Sequence, residues 1–156
     1  MDFGALMAKM TGAASAGDGA AVAECFTPDG TYHDVFYGAF TGADAIQDMI
    51  ENYFHRDAAN FRWDLHDPVD DGETGYVRYV FSYDSKLPEA GGKRALFEGI
   101  GVVRLKNGLI AHYSEVANTA PGLLMMGFAP ERMAKIMARQ GDELKGRDEA
   151  AGHIPD

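Results

Sequence analysis

Apolar residues recur along this chain at two periods, and the order in which the periods change carries the first structural information. From Phe3 to Met10 and from Asp18 to Phe26, alanine-rich stretches with helical spacing are separated by Gly17, which predicts two short helices. Asp18 is placed to cap the second. Thr27-Pro28-Asp29-Gly30 has the composition of a turn, and Thr31–Val35 alternates as a short strand does. Thr41-Gly42-Ala43-Asp44 then opens a third helix, in which Ile46, Met49, Ile50, Tyr53 and Phe54 make one apolar stripe.

Four period-two segments follow: Asn60–Asp67, with Phe61, Trp63 and Leu65 on one face, then Gly75–Lys86, Arg94–Lys106 and Leu109–Asn118. Asp70-Asp71-Gly72 and Lys106-Asn107-Gly108 are tight-turn sequences and Pro88–Gly92 is a looser loop, so consecutive hairpins are expected. The strands are long, and Gly99 and Gly101 inside one of them predict strong bending. Leu123–Phe128 and Pro130–Leu144 read as helical, with Pro130 in a first turn. The pattern predicts an α+β fold, a cone-shaped, strongly bent antiparallel sheet wrapped around N-terminal helices, whose open end is a pocket mouth. With no repeat or linker in the sequence, residues 1–145 are expected to form a single domain and 146–156 a frayed tail.

Charge narrows the partners. The 14 Lys and Arg against 24 Asp and Glu leave a formal charge of −10, which repels phosphate backbones and anionic membrane surfaces. Nucleic acid and membrane are therefore not expected, and a small hydrophobic molecule is. The absence of a basic leader with a long apolar run, or of any apolar stretch long enough to span a bilayer, predicts a cytoplasmic protein. Cys25, the single cysteine, lies in an apolar stretch and reads as a buried, inert thiol.

The element order, together with Phe26-Thr-Pro-Asp-Gly-Thr-Tyr, Gly42-Ala-Asp-Ala and Val102-Val-Arg-Leu-Lys-Asn-Gly-Leu-Ile-Ala-His-Tyr-Ser-Glu, resembles the nuclear transport factor two-like superfamily. The closer likeness is to its SnoaL-like polyketide cyclase and limonene-epoxide hydrolase branch, which implies a cystatin-like α+β barrel. In such hydrolases a tyrosine and an asparagine on the first strand hold the attacking water. Counting from Gly42 puts Tyr32 and Asp34 there, and counting from Gly108 puts Tyr113 and Glu115 at the last-strand positions, Glu115 where those enzymes carry a carboxylate. Their Arg-x-Asp is matched by Arg78-Tyr79-Val80, which keeps the arginine but has Val80 at the water-activating aspartate. SnoaL-like cyclases carry an acidic residue late in the last strand, in many of them near position 118, where this chain has Asn118.

Parity alone puts Tyr32 and Asp34 on one face of the first strand and Tyr113 and Glu115 on one face of the last. If both faces point inward, Glu115, Asp34, Arg78 and Tyr32 form a set able to move protons, with Arg78 setting the charge. A buried arginine–carboxylate pair kept for structural reasons is the competing reading. Trp63, Tyr53, Phe97, Tyr113, Asn118 and Met49 are expected to line the pocket, and Leu123–Met126 to form either a lid or ordinary packing. His33 points away from Asp34, and no His, Asp or Glu grouping has metal-ligand spacing. The expected function is a cofactor-free proton-transfer enzyme, a cyclase, dehydratase, isomerase or hydrolase of a small hydrophobic substrate. The alternative is a non-catalytic binding or dimerisation module, with a homodimer formed through an outer sheet face bearing Tyr79, Phe81 and Tyr83.

Overall fold

The computed structural model describes residues 1–154. Asp2 accepts the Ala5 N–H at 2.8 Å and so caps α1 (Phe3–Ala16). This helix runs past Met10, because Thr11–Ala16 is again alanine-rich and Gly12 lies on its exposed side. It stops where Gly17 turns left-handed, φ 78°, and returns its N–H to the Ala13 and Ala14 carbonyls. Asp18 caps α2 (Gly19–Ala23) as expected, accepting from Ala21 at 2.9 Å. Cys25 follows, buried, with its thiol pKa raised first by that burial.

The segment 27–30 is not a free turn. It belongs to β1 (Phe26–Asp34), whose pairing with a later strand slips between Phe26 and Thr31 and absorbs the Pro-Asp-Gly as an irregularity. β2 (Gly38–Thr41) folds back on β1, and α3 (Ala43–Met49) runs on through a π-helical turn (Ile50–Phe54) and a last turn (His55–Asp57). The predicted meander follows as β3 (Ala58–Asp70), β4 (Thr74–Ser85), β5 (Arg94–Lys106) and β6 (Leu109–Asn118). Asn107 and Gly108 both take positive φ, the backbone of the tight hairpin turn that Asn-Gly favours. The chain then forms α4 (Ala120–Met125) and α5 (Pro130–Lys145), with Pro130 in the first turn of α5.

The sheet order is β2-β1-β6-β5-β4-β3. Neighbours run antiparallel except β1 and β6, which are parallel with Tyr32 opposite Tyr113. The sheet curves but does not close, so β2 and β3 are its edges. Its concave face is covered in two parts. Met7 and Met10 of α1 and Ile46, Met49 and Ile50 of α3 pack on Val77, Val103 and Ile110. Leu123, Met126 and Phe128, from the α4 region, pack on Phe97, and Gly122 lies flat against the Phe97 ring, where no side chain would fit. No helix is long and apolar enough to cross a membrane among the described residues.

Two glycines separate packing from propensity. A Cβ on Gly19 would lie 2.7 Å from the Gln47 carbonyl oxygen of α3, whereas one on Gly12 would meet nothing within 4 Å. Gly19→Ala should therefore destabilise the protein by roughly 1–3 kcal/mol through forced backbone shifts. Gly12→Ala should stabilise it by about 0.5–1 kcal/mol through helix propensity. Urea denaturation of the two variants checks both signs.

Candidate active site

The parallel pairing of β1 with β6 builds the centre of the site. Tyr32 lies opposite Tyr113. Asp34 and Glu115, each two residues further along, therefore stand on the same face of neighbouring strands, whose backbones run about 4.8 Å apart. Both carboxyls open into a cavity of about 290 Å³ between the concave sheet face and α4–α5.

Asp34 is 6% exposed, and its Oδ1 accepts the Phe36 and Tyr37 N–H groups at 2.8 and 2.9 Å in the turn leading to β2. Glu115 accepts the Tyr113 hydroxyl at 2.8 Å, and the Tyr79 hydroxyl and Val35 N–H lie close enough to favour its charged form. Tyr79 reaches Glu115 from two strands away because Gly99 lies beneath it on β5; a Cβ there would stand 2.6 Å from the phenolic oxygen. Gly101 similarly leaves room for the Tyr113 ring, 3.0 Å from where its Cβ would be. The two glycines noted as signs of bending thus also let two phenols converge on one carboxylate.

Burial is the first cause of both carboxyl shifts. It pushes the Glu115 pKa up to about 7, with the Asp34 charge adding and the hydroxyl and Val35 donors opposing. It also raises Asp34, against which the Tyr37 and Phe36 amides, His33 and Arg139 work. Ionising either group makes ionising its neighbour harder, so they titrate as a pair. Tyr32 and Tyr113 are raised well above the ordinary phenol value by burial and by Glu115, which leaves them protonated and able to donate. Near neutral pH such a site can hold a proton donor beside a proton acceptor.

The wall is aromatic. Phe54 stacks on Phe61 with centroids 4.6 Å apart and planes within 8°, and Phe81 continues the stack at 6.0 Å and 9° from Phe61. Trp63 packs on Phe81 at 4.6 Å, and its buried Nε1 has no partner among the described residues. Arg132 and Arg139 of α5 line the opposite side with Ile136.

Of the residues expected at the site, Tyr32, Asp34, Glu115, Trp63 and Phe97 line this cavity, and Tyr113 stands behind Glu115. The remainder require correction. Arg78 faces out of the sheet and pairs at 3.3 Å with exposed Asp67, because β4 turns Val77, Tyr79, Phe81 and Tyr83 inward and leaves Tyr76, Arg78 and Val80 outside. That parity also overturns the expectation that Tyr79, Phe81 and Tyr83 form an outer dimer surface. Asn118 is exposed and outside the cavity, one residue out of phase with Ala117. Met49 is sealed in the core beneath α3, and Tyr53 packs against Tyr37, Phe40 and the Arg56 guanidinium rather than lining the cavity.

Tyr79 and the two arginines of α5 were missed. The first had a usable signal, since 77-79-81-83 is more apolar than 76-78-80-82 and belongs inside. Among the described residues no group of three or more His, Cys, Asp or Glu is arranged to hold a metal ion.

A curved, unclosed six-stranded sheet with N-terminal helices is the ketosteroid isomerase-like or nuclear transport factor two-like fold. The model of the SnoaL-like domain matches residues 7–113, and the chain belongs to that family. Among solved structures it is similar to a Catenulispora acidiphila protein of ketosteroid isomerase-like fold in complex with trimethylamine, with a TM-score of 0.71, 16% identity, and 81% of this chain and 95% of that one covered. It is similar to an epoxide hydrolase of the limonene-epoxide hydrolase-like type from M. tuberculosis (TM-score 0.63, 14% identity, 86% and 93% covered). It is also similar to a polyketide cyclase-like protein from Streptomyces antibioticus (TM-score 0.64, 16% identity, 80% and 98% covered). No curated protein matches the sequence.

The raised Glu115 pKa fixes the sign of a stability change with pH. The folded state binds this proton more tightly than the unfolded state, so Glu115 favours folding below its unfolded value and loses that contribution as pH rises through about 7. Between pH 4.5 and 8 the wild type should lose about 2–3 kcal/mol from this group. Glu115→Gln should lack that part of the slope, as urea denaturation at the two pH values will show.

Proposed function

We propose that this protein is an enzyme that moves protons within a small, largely apolar substrate, with Asp34 and Glu115 as its base and acid. The observation that carries the reading is the placement of two coupled carboxyls side by side in an apolar cavity. Their environments differ: one Asp34 oxygen is held by two amides that favour its charge, while Glu115 keeps its proton to about pH 7. Both donor and acceptor are supplied by the protein, so the step needs no cofactor.

The reaction class that fits is proton removal beside a carbonyl. Asp34 takes a proton from the carbon as the C–H pair moves into the carbon–carbon bond, and Glu115 gives its proton to the carbonyl oxygen, forming an enol. Return of the two protons, with the Asp34 proton delivered to a different carbon, completes an isomerisation. Attack of the enol carbon on a second carbonyl carbon closes a ring, as the enol O–H returns its proton to Glu115 and protonated Asp34 gives its proton to the new alkoxide oxygen. Alternatively a β-hydroxyl takes the Asp34 proton and leaves as water while Glu115 takes back the enol proton, which completes a dehydration. Tyr113 and Tyr79 orient Glu115. Trp63, Phe61 and Phe81 offer flat apolar faces to the substrate body. β4 turns Val77, Tyr79, Phe81 and Tyr83 inward, so that strand brings no carboxylate to the cavity where the resembling hydrolases use one to activate water.

The test is hydrogen–deuterium exchange of a panel of hydrophobic ketones and β-dicarbonyls in D2O, followed by NMR. Wild-type protein should exchange protons next to the carbonyl, and Asp34→Asn and Glu115→Gln should each lower the rate by about 10²–10⁴-fold. Binding without exchange, seen as quenching of Trp63, the one tryptophan, would instead assign a binding module.

We also propose that the protein pairs through the outer sheet face. With the aromatic face turned inward, the outer surface presents Tyr76, Leu96, Ile100 and Val116, each at least 44% exposed, with Ile100 opposite Val116 in register. Light scattering should report a dimer that Ile100→Lys converts to monomer; a monomeric wild type would refute it.

A further inference from the structure

Asp34 is held from two directions, and only one belongs to its own strand. The Phe36 and Tyr37 amides donate to its Oδ1. The carbonyl of the same Phe36 accepts from Nη2 of Arg139 at 3.2 Å, across from α5. One short stretch of backbone is thereby gripped on both sides, its amides by the carboxylate and its carbonyl by the guanidinium.

Arg139 also lines the cavity, and its charge bears on Asp34. Helix α5 has a second strap. Arg132, two turns earlier on the same face, pairs with Glu89 in the β4–β5 connection and lies 4.0 Å over the Phe128 ring. The helix is thus tied to both rims of the cavity, and the rim held by Arg139 is the one that carries the base.

We propose that Arg139 is a positioning residue: docking of α5 places its guanidinium on the Phe36 carbonyl, which fixes the two amides on Asp34 and holds that carboxyl in the ionised form that proton abstraction needs. The proposal rests on the function above and adds a contact from α5, outside the strands that carry the acid–base pair, that sets the state of the base. The groups around Asp34 leave few substitutes. Tyr32 from β1, Tyr37 from the turn, and Tyr79 and Tyr83 from β4 are neutral phenols. Glu115 from β6 opposes the Asp34 charge, and Asp57 is a further carboxylate, occupied by Arg56 and the Tyr37 hydroxyl. His33, on the adjoining position of β1, is the other group that favours ionisation of Asp34, and it faces the opposite side of the strand.

The experiment is a carboxyl carbon-13 NMR titration of the ligand-free protein, with Asp34 and Glu115 assigned through Asp34→Asn and Glu115→Gln. In Arg139→Met the first deprotonation of the pair should move up, since a charge and an oriented donor are both removed. Arg139→Lys should return most of the shift, and Arg139→Gln, which keeps a donor without the charge, should fall between. The Phe36 and Tyr37 amides should exchange faster with solvent in Arg139→Met. A titration unmoved in both Arg139→Met and Arg139→Gln overturns the proposal, as does a full shift retained in Arg139→Lys. Faster exchange of α5 amides without any carboxyl shift also overturns it, because that is what a purely structural strap would do. Arg139 is half exposed, so these variants should fold. The titration uses no substrate, so it stands or falls separately from the ketone exchange, whose failure would remove the enzyme reading instead.

Discussion

Two carboxyl groups enclosed on adjacent parallel strands set the terms for the rest of this molecule. A carboxylate taken out of water loses far more hydration energy than a neutral acid, and two together repel, so the pair must either keep a proton or be surrounded by donors. The structure does both. Glu115 retains its proton to about pH 7, and Tyr113, Tyr79 and the Val35 amide turn donors towards it. Asp34 takes two amides from its own turn and the influence of Arg139.

That arrangement reaches outward through the sheet. A phenol on β4 can bond a carboxyl on β6 only if the strand between presents no side chain at the crossing point, and Gly99 supplies that gap. The β1–β6 pairing is equally necessary, because it joins the first strand of the chain to the last and makes two residues 81 positions apart, 115 − 34, neighbours. The helices divide the concave face so that α1 and α3 fill one half with methionine and isoleucine while α4 and α5 roof the other. The space left beneath that roof is the cavity. The family match spans residues 7–113, so Glu115 and the roof lie beyond it.

Much of the scaffold was legible beforehand because it is encoded locally. The meander strands, the Asn107-Gly108 turn and the Asp18 cap each follow from a few adjacent residues. So does the placement of Asp34 with Tyr32, and of Glu115 with Tyr113, on shared strand faces. Which face of a strand is the inner one is a different kind of information. For β4 the pattern offered two alternations, and choosing the wrong one sent Arg78 inward and Tyr79 outward together, since a shift of one residue inverts a whole strand. Asn118 was a position taken from the resembling cyclases, and it is out of phase with the inward face of Tyr113 and Glu115 that parity already marked. Tyr53 and Met49 lie on the correct apolar stripe of α3, but that stripe covers a filled part of the sheet.

The roof shows the limit most clearly. Arg132 and Arg139 read in sequence like any cations of an amphipathic helix, and nothing near them in the chain distinguishes them from Lys135 or Arg147. By itself the sequence determined the elements, their order, the acidic charge and the two carboxylates worth watching, because hydrophobic period, turn chemistry and composition act over a handful of residues. Only the tertiary structure decided that β1 lies beside β6, that Tyr79 and not Arg78 meets Glu115, and that α5 touches the turn holding Asp34. Those are contacts between residues distant in the chain, set by how curved surfaces pack.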